Sequence, residues 1–215
     1  MKLKISFVLP IFLYLAASVA VANSSGPART ELERFAGNLD TLQAGFTQTV
    51  KSQDGSVQDQ THGQVWLQNP DKLRWLYAGE FPEIIVADGR NIWIYDEALD
   101  QVTIRPQSTQ TADSPLMILA DVSRLDQQFQ VSELGDFEGM SLMELKSKDS
   151  ESEFERILLG FDSNGIRMMV MEDAFGQRTE IHFENLLINQ PADPALFQFT
   201  PPEGADVVGE PNLEE

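Results

Sequence analysis

Few side chains in this sequence could carry out a covalent step. The chain has no cysteine and only two histidines, His62 and His182, and it contains neither a Gly-x-Ser-x-Gly nucleophile elbow nor a glycine-rich phosphate loop. Neither histidine is flanked by a metal-ligand pattern, so both read as ordinary strand residues. Asp162-Ser163-Asn164-Gly165 begins like a calcium loop, but the glutamate such a loop needs further on is replaced by an apolar run containing Met168 and Met169. The sequence therefore predicts no catalytic residue, no metal site and no cofactor. It does offer apolar and aromatic surface: Phe46, Trp66, Trp75, Tyr77, Trp93 and Tyr95, with seven methionines in the chain. Aromatic rings build rigid cavity walls and methionine adapts to irregular shapes. The same residues would serve plain core packing, and composition alone does not separate the two.

The elements that must position these residues are readable in outline. Residues 1–22 have the parts of a cleavable export signal: Lys2 and Lys4, an apolar run from Ile5 to Val19, and Ala20-Val21-Ala22 before Asn23. Residues 23–215 are expected to form one domain. Thr30-Glu31-Leu32-Glu33 has the spacing of a capping box, which predicts a helix from Thr30 with Leu32, Phe35, Ala36, Leu39 and Leu42 on its apolar face. From Phe46 the pattern changes to short runs rich in Val, Ile, Thr and aromatics. Asp54-Gly55, Asp88-Gly89 and Asn164-Gly165 divide them and predict hairpins, hence one large antiparallel sheet. Several runs are apolar on both faces, as in Val65-Trp66-Leu67, Ile84-Ile85-Val86 and Ile166 to Met171. A sheet with one wet face would alternate instead, so either both faces are covered or one lines an interior cavity, and a single N-terminal helix is too small to cover so wide a sheet. The segment from Asp113 to Ala120, with Pro115 suited to a first helical turn and Leu116, Met117, Ile118 and Leu119 in a row, is the expected helical cover. A second helical patch is expected over 123–129. The stretch from Gly204, rich in Pro and Glu, reads as a loose tail.

Three stretches together resemble the LolA family of outer-membrane lipoprotein carriers: residues 63–75 (Gly63-Gln64-Val65-Trp66-Leu67-Gln68-Asn69-Pro70-Asp71-Lys72-Leu73-Arg74-Trp75), residues 85–96 (Ile85-Val86-Ala87-Asp88-Gly89-Arg90-Asn91-Ile92-Trp93-Ile94-Tyr95-Asp96) and residues 197–204 (Phe197-Gln198-Phe199-Thr200-Pro201-Pro202-Glu203-Gly204). Phe46-Thr47-Gln48 and Ser114-Pro115-Leu116-Met117 agree as well. The resemblance implies a mainly β fold with helices: an unclosed barrel with a helical lid over an apolar cavity. It also implies the partners: acylated lipoproteins, an inner-membrane ABC-type release complex and an outer-membrane lipoprotein receptor. By position it implies that Phe46, Trp66, Trp75, Trp93, Leu116, Met117 and Leu119 contact acyl chains and that Leu73 lies where the release complex docks. Relatives commonly place an Arg before the proline of the third stretch of sheet, where it locks the lid. Here that position is Asn69, and Arg74 or Arg105 are the alternatives for the lock.

The charge balance narrows the partners further. The chain carries 34 acidic against 15 basic residues, a net charge of -19, and removal of Lys2 and Lys4 with the signal makes it more negative. Such a surface repels phosphate backbones and anionic headgroups, so nucleic acid and a peripheral membrane site are not expected, and a soluble monomer is. Without a cysteine the chain cannot be acylated in the manner of a bacterial lipoprotein. The expected function is that of a periplasmic chaperone that shields acyl chains between the two membranes. A periplasmic sensor of stray lipid or lipoprotein with the same fold is the second reading. An acid-dependent hydrolase, resting only on the surplus of carboxylates, is the third.

Overall fold

Each of the three Asx-Gly pairs closes a hairpin in the computed structural model, because the glycine takes a positive φ (85° at Gly55, 98° at Gly89, 125° at Gly165) that other residues adopt at a steric cost. The structure describes residues 26–107, 122, 125–150 and 152–212. Helix α1 (Pro27–Ala36) leads into strands β1 (Thr41–Lys51), β2 (Val57–Gln68), β3 (Lys72–Ala78), β4 (Glu83–Asp88), β5 (Asn91–Asp96) and β6 (Gln101–Pro106). A short helix α2 (Leu125–Gln128) precedes β7 (Phe129–Phe137), β8 (Met140–Ser147), β9 (Phe154–Asp162), β10 (Gly165–Asp173) and β11 (Arg178–Ile188). A 3-10 helix (Pro194–Phe197) and β12 (Asp206–Val208) end the described chain.

The twelve strands of the described residues form one sheet in the order β12-β6-β5-β4-β3-β2-β1-β11-β10-β9-β8-β7. β1 pairs with β11 in the middle, so two meanders are joined side by side, and β12 and β7 remain as edges. The barrel is therefore unclosed. Eleven strands pair antiparallel as expected, but β12 joins β6 in parallel, through Asp206↔Gln101 to Val208↔Thr103.

Alternation along each strand separates two faces. On the inner face, Leu42, Ala44 and Phe46 of β1 share one buried cluster with Val65 and Leu67 of β2, Leu73 and Trp75 of β3, and Leu159 and Phe161 of β9. Side chains from β3 and β9 meet in one cluster because the sheet curls around it. Helix α1 packs inside the β7–β10 half, burying Ala28, Leu32 and Phe35, with the Phe35 ring 6.3 Å from Phe161.

The helix departs from its predicted start. It begins at Pro27, where a missing N–H is no loss, and its free N-terminal donors are satisfied from afar: Glu133 of β7 accepts from Ala28 N at 3.1 Å and Arg29 N at 2.8 Å. Thr30 lies inside the helix and donates to the Gly26 carbonyl at 3.0 Å, so it is not a cap. Leu39 and Leu42 are buried as expected, but from the connection and from β1. Gly45 sits within β1, at the register shift against β11.

The outer face of β3–β6 explains the strands that are apolar on both sides. Residues after β11 cross it: the 3-10 helix packs on β3 and β4, Phe197 is buried, and Phe199 stacks on Trp93 and Tyr95 at 5.8 and 6.0 Å. β12 extends the sheet, and Asn212 N donates to Asn91 Oδ1 at 2.7 Å. The segment expected to be a loose tail is thus an ordered seal as far as Asn212. The expected cover at 113–120 lies outside the described residues. Of the patch expected at 123–129, Leu125–Gln128 is helical and Phe129 opens β7.

Candidate functional site

The inner face is lined by apolar side chains and carries a run of aromatic rings across its middle. The Phe46 ring centre lies 4.6 Å from that of Trp75 and 5.3 Å from Tyr77, edge-on to the latter. Trp75 in turn is 5.9 Å from Tyr77 and 6.4 Å from Phe183. The register explains the cluster: Phe46 stands opposite Gly63 on β2 and Phe183 on β11, and Gly63 stands opposite Tyr77 on β3. A Cβ at Gly63 would collide with the Leu76 carbonyl and with the Phe46 ring, so a hydrogen at this position is what lets the ring lie against the backbone.

Toward one end the face opens. A cavity of about 530 Å³ is lined by Gln48, Tyr77, Phe154, Met171, Phe175 and other residues of the β8–β9 and β10–β11 turns. The Tyr77 hydroxyl donates to Gln48 Oε1 at 3.1 Å. Burial, and then the charge of Glu83, hold the Tyr77 phenol well above its ordinary range, so it stays a neutral donor. Beside it, burial and then the nearby Asp96 carboxylate push Glu83 up from the usual carboxylate value. At the same end, turn tips expose Phe81, Leu99 and Phe175.

The sequence-predicted contact residues divide between the faces. Phe46 and Trp75 lie on the inner face, in the buried cluster. Trp66 does not: it stands between the inward Val65 and Leu67, facing outward across from Gln43 and Arg74. Trp93 also faces outward, opposite Val86 and Ile104, where its Nε1 donates to Asp88 Oδ2 at 2.8 Å and its ring meets Phe199. The physical reason is the period of two along a strand, which turns neighbours to opposite sides. Leu116, Met117 and Leu119 lie outside the described residues.

Leu73, expected at a docking surface, pairs with Leu67 and Ala87 and is 4 % exposed, inside the same cluster. Asn69 bonds locally: its Nδ2 donates to the Leu39 carbonyl and its backbone N to the Asp40 carbonyl at 2.9 Å, tying the β2–β3 turn to the connection between α1 and β1. Arg74 faces outward and its Nη1 donates to Leu196 O at 3.2 Å. Arg105 stands opposite Ile92, on the inner-facing side. Gln48 and Phe183, which sequence reasoning did not place in the site, belong to it, and so does Tyr77, named there only among the aromatics that could build a wall; its spacing of two from Trp75 puts both on one face.

His62 and His182 flank Thr47 on the outer face, both exposed, and among the described residues no cluster of three His, Cys, Asp or Glu could hold a metal. The arrangement suits the enclosure of apolar groups.

Comparison with known proteins agrees with this geometry. A family model described as outer membrane lipoprotein carrier protein LolA matches residues 37–200. The outer-membrane lipoprotein carrier protein of Dechloromonas aromatica is 39% identical over 180 residues, 84% of this chain and 86% of that protein. The protein of the same name from Nitrosospira multiformis is 36% identical over 211 residues, 98% of this chain and all of that one. Among solved structures, a conserved protein from Thermus thermophilus superposes with a TM-score of 0.56 at 14% identity, over 84% of this chain and 98% of its own. That likeness concerns the fold alone.

Proposed function

The chain belongs to the LolA family of outer-membrane lipoprotein carrier proteins, and from that premise we propose that it is a periplasmic chaperone which shields the acyl chains of lipoproteins against its inner face. It accepts cargo from an ABC-type release complex in the inner membrane and passes it to a receptor in the outer membrane. It performs no chemical step itself. The observation that supports this reading most directly is the apolar inner face, which runs from Leu42 and Leu67 through Phe46 and Trp75 to an opening at Tyr77.

Energetics makes such a carrier necessary. Each methylene taken into water costs about 0.8 kcal/mol, so a lipoprotein with several acyl chains faces a barrier of tens of kcal/mol if unshielded. An apolar face offsets most of that. Because the inner face is well packed around Phe46, Val65 and Trp75, acyl chains enter only as the packing opens. Binding and the cost of opening then offset one another, and transfer to a receptor without that cost runs downhill.

Helix α1 packs on β7–β10 and leaves the inner side of β3–β5 to other covering, where Tyr77, Ile85 and Ile92 are only partly buried. The chain leaves β6 there and returns at Val122, which packs on the same cluster. We assign acyl-chain contact to Leu116, Met117 and Leu119 on the family resemblance, and to Phe46 and Trp75 as part of the apolar wall.

The test uses the chain from residue 23 onward, incubated with membranes that hold newly acylated lipoprotein. Soluble one-to-one complexes of the chain with lipoprotein are expected. If no acylated protein leaves the membranes in the presence of both the chain and an energised release complex, the reading is wrong.

A further inference from the structure

The inner face holds a donor that its own residues do not satisfy. Among the described residues, two buried side-chain polar atoms have no hydrogen-bond partner: the Asn69 side-chain oxygen and Trp75 Nε1. Trp75 is 6 % exposed and is surrounded by Phe46, Tyr77 and Phe183, with Val65 and Ile85 across the adjacent strands. None of these side chains except the Tyr77 hydroxyl can accept a hydrogen bond, and that hydroxyl, which donates to Gln48, is not a partner of the indole N–H. A buried N–H without an acceptor destabilises the fold. Phenylalanine at this position would supply ring packing without that penalty.

The position of Trp75 indicates what the donor is for. Tyr77 and Gln48 line the opening, and Trp75 lies two residues inward on the same face of β3, about 7 Å deeper. Farther along the strands in that direction Leu67, Leu73 and Ala87 line the face, with Arg105 at the same level on the far strand. An acyl chain has its only polar atoms at its head. A chain whose tail lies among the leucines and whose head faces the opening carries its carbonyl oxygen past the level of Trp75.

Resting on the carrier reading above, we propose that Trp75 Nε1–H donates to the carbonyl oxygen that heads an acyl chain, so that the inner face recognises ester- or amide-linked acyl groups over plain hydrocarbon. The apolar walls supply most of the affinity and this single bond supplies the discrimination. In a dry surrounding a donor of this kind finds no competing water, which makes its contribution selective.

Two fluorescent probes with identical head groups test this: dipalmitoylglycerol, with two ester carbonyls, and dihexadecylglycerol, its ether-linked counterpart with none. The chain from residue 23 is expected to bind the ester probe about three- to tenfold more tightly than the ether, the range of one net hydrogen bond. Trp75→Phe is expected to bind both at the ether level. A second reading needs no variant: in a 15N-labelled sample the Trp75 indole N–H resonance is expected to move downfield with the ester probe and not with the ether. Equal affinities in the unaltered chain, a preference that survives Trp75→Phe, or an indole signal that responds alike to both probes would each overturn the assignment while leaving the carrier reading intact. Failure of the unaltered chain to take up either probe would overturn the carrier reading, and this proposal with it.

Discussion

Trp66 and Trp75 sit on adjacent strands, yet one side chain faces the interior and the other the outside. The difference is a single step in parity: Trp75 stands opposite Val65, whereas Trp66 stands opposite Arg74. At this scale electrostatics also acts. Glu83 stands between Tyr77 and Asp96 across three strands, and burial followed by the Asp96 charge raises its carboxyl above the ordinary value of 4.5. A carboxyl raised on folding favours the protonated state, so stability is greatest below the unfolded value and falls as pH rises through the folded one. Glu83→Gln removes that fall. Its melting temperature is expected to exceed that of the unaltered chain near pH 7 and to converge with it below about pH 4, and a constant difference across that range would show that charge is not the cause.

At the scale of elements, α1 depends on residues far from it in sequence. Arg29 makes a two-pronged contact with Asp126 of α2, at 2.9 and 2.8 Å, and Glu133 caps the helix from β7. The Thr30-x-x-Glu33 spacing that suggested a local cap is instead spent inside the helix, with Glu33 paired to Arg29 at 2.6 Å. Removing the distant cap by Glu133→Ala is expected to lower stability by about 1–2 kcal/mol, the value of a helix cap plus its favourable charge at the N-terminus. A urea unfolding midpoint read by circular dichroism measures this, and an unchanged midpoint would mean that water replaces the carboxylate without loss. The hairpins, by contrast, were readable because their turn residues act on their own backbone.

At the scale of the molecule, the fold is an open sheet with two differently covered faces. The inner face of β7–β10 is covered by α1, and the outer face of β3–β6 by residues that follow β11. Phe197 is the side chain most deeply set in that outer layer, at 2 % exposure. Phe197→Ala is expected to cost about 3–5 kcal/mol and to lower the melting temperature by roughly 10 °C at 2–4 °C per kcal/mol. A shift within about 2 °C would mean that the C-terminal segment adds little to the seal. The glycine at 209 shows how close this layer lies: with φ at 100°, it passes against the Ile104 carbonyl where a Cβ would overlap.

The sequence by itself determined the hairpins, the strand periodicity and the presence of a large antiparallel sheet, because each depends on residues a few positions apart. Its apolar runs on both sides of a strand also showed that neither face is simply wet, each being either covered or the lining of a cavity. Tertiary structure alone decided which cover went where: that residues 194–212 lie outside, that Leu73 is buried, that Trp66 and Trp93 face away from Phe46 and Trp75, and that β12 pairs in parallel. These follow from strand register and from contacts between segments more than a hundred residues apart, such as Ala28 with Glu133 and Asn91 with Asn212. A shift of one residue in pairing exchanges inside for outside, and no local pattern in a strand that is apolar on both faces records which side is which.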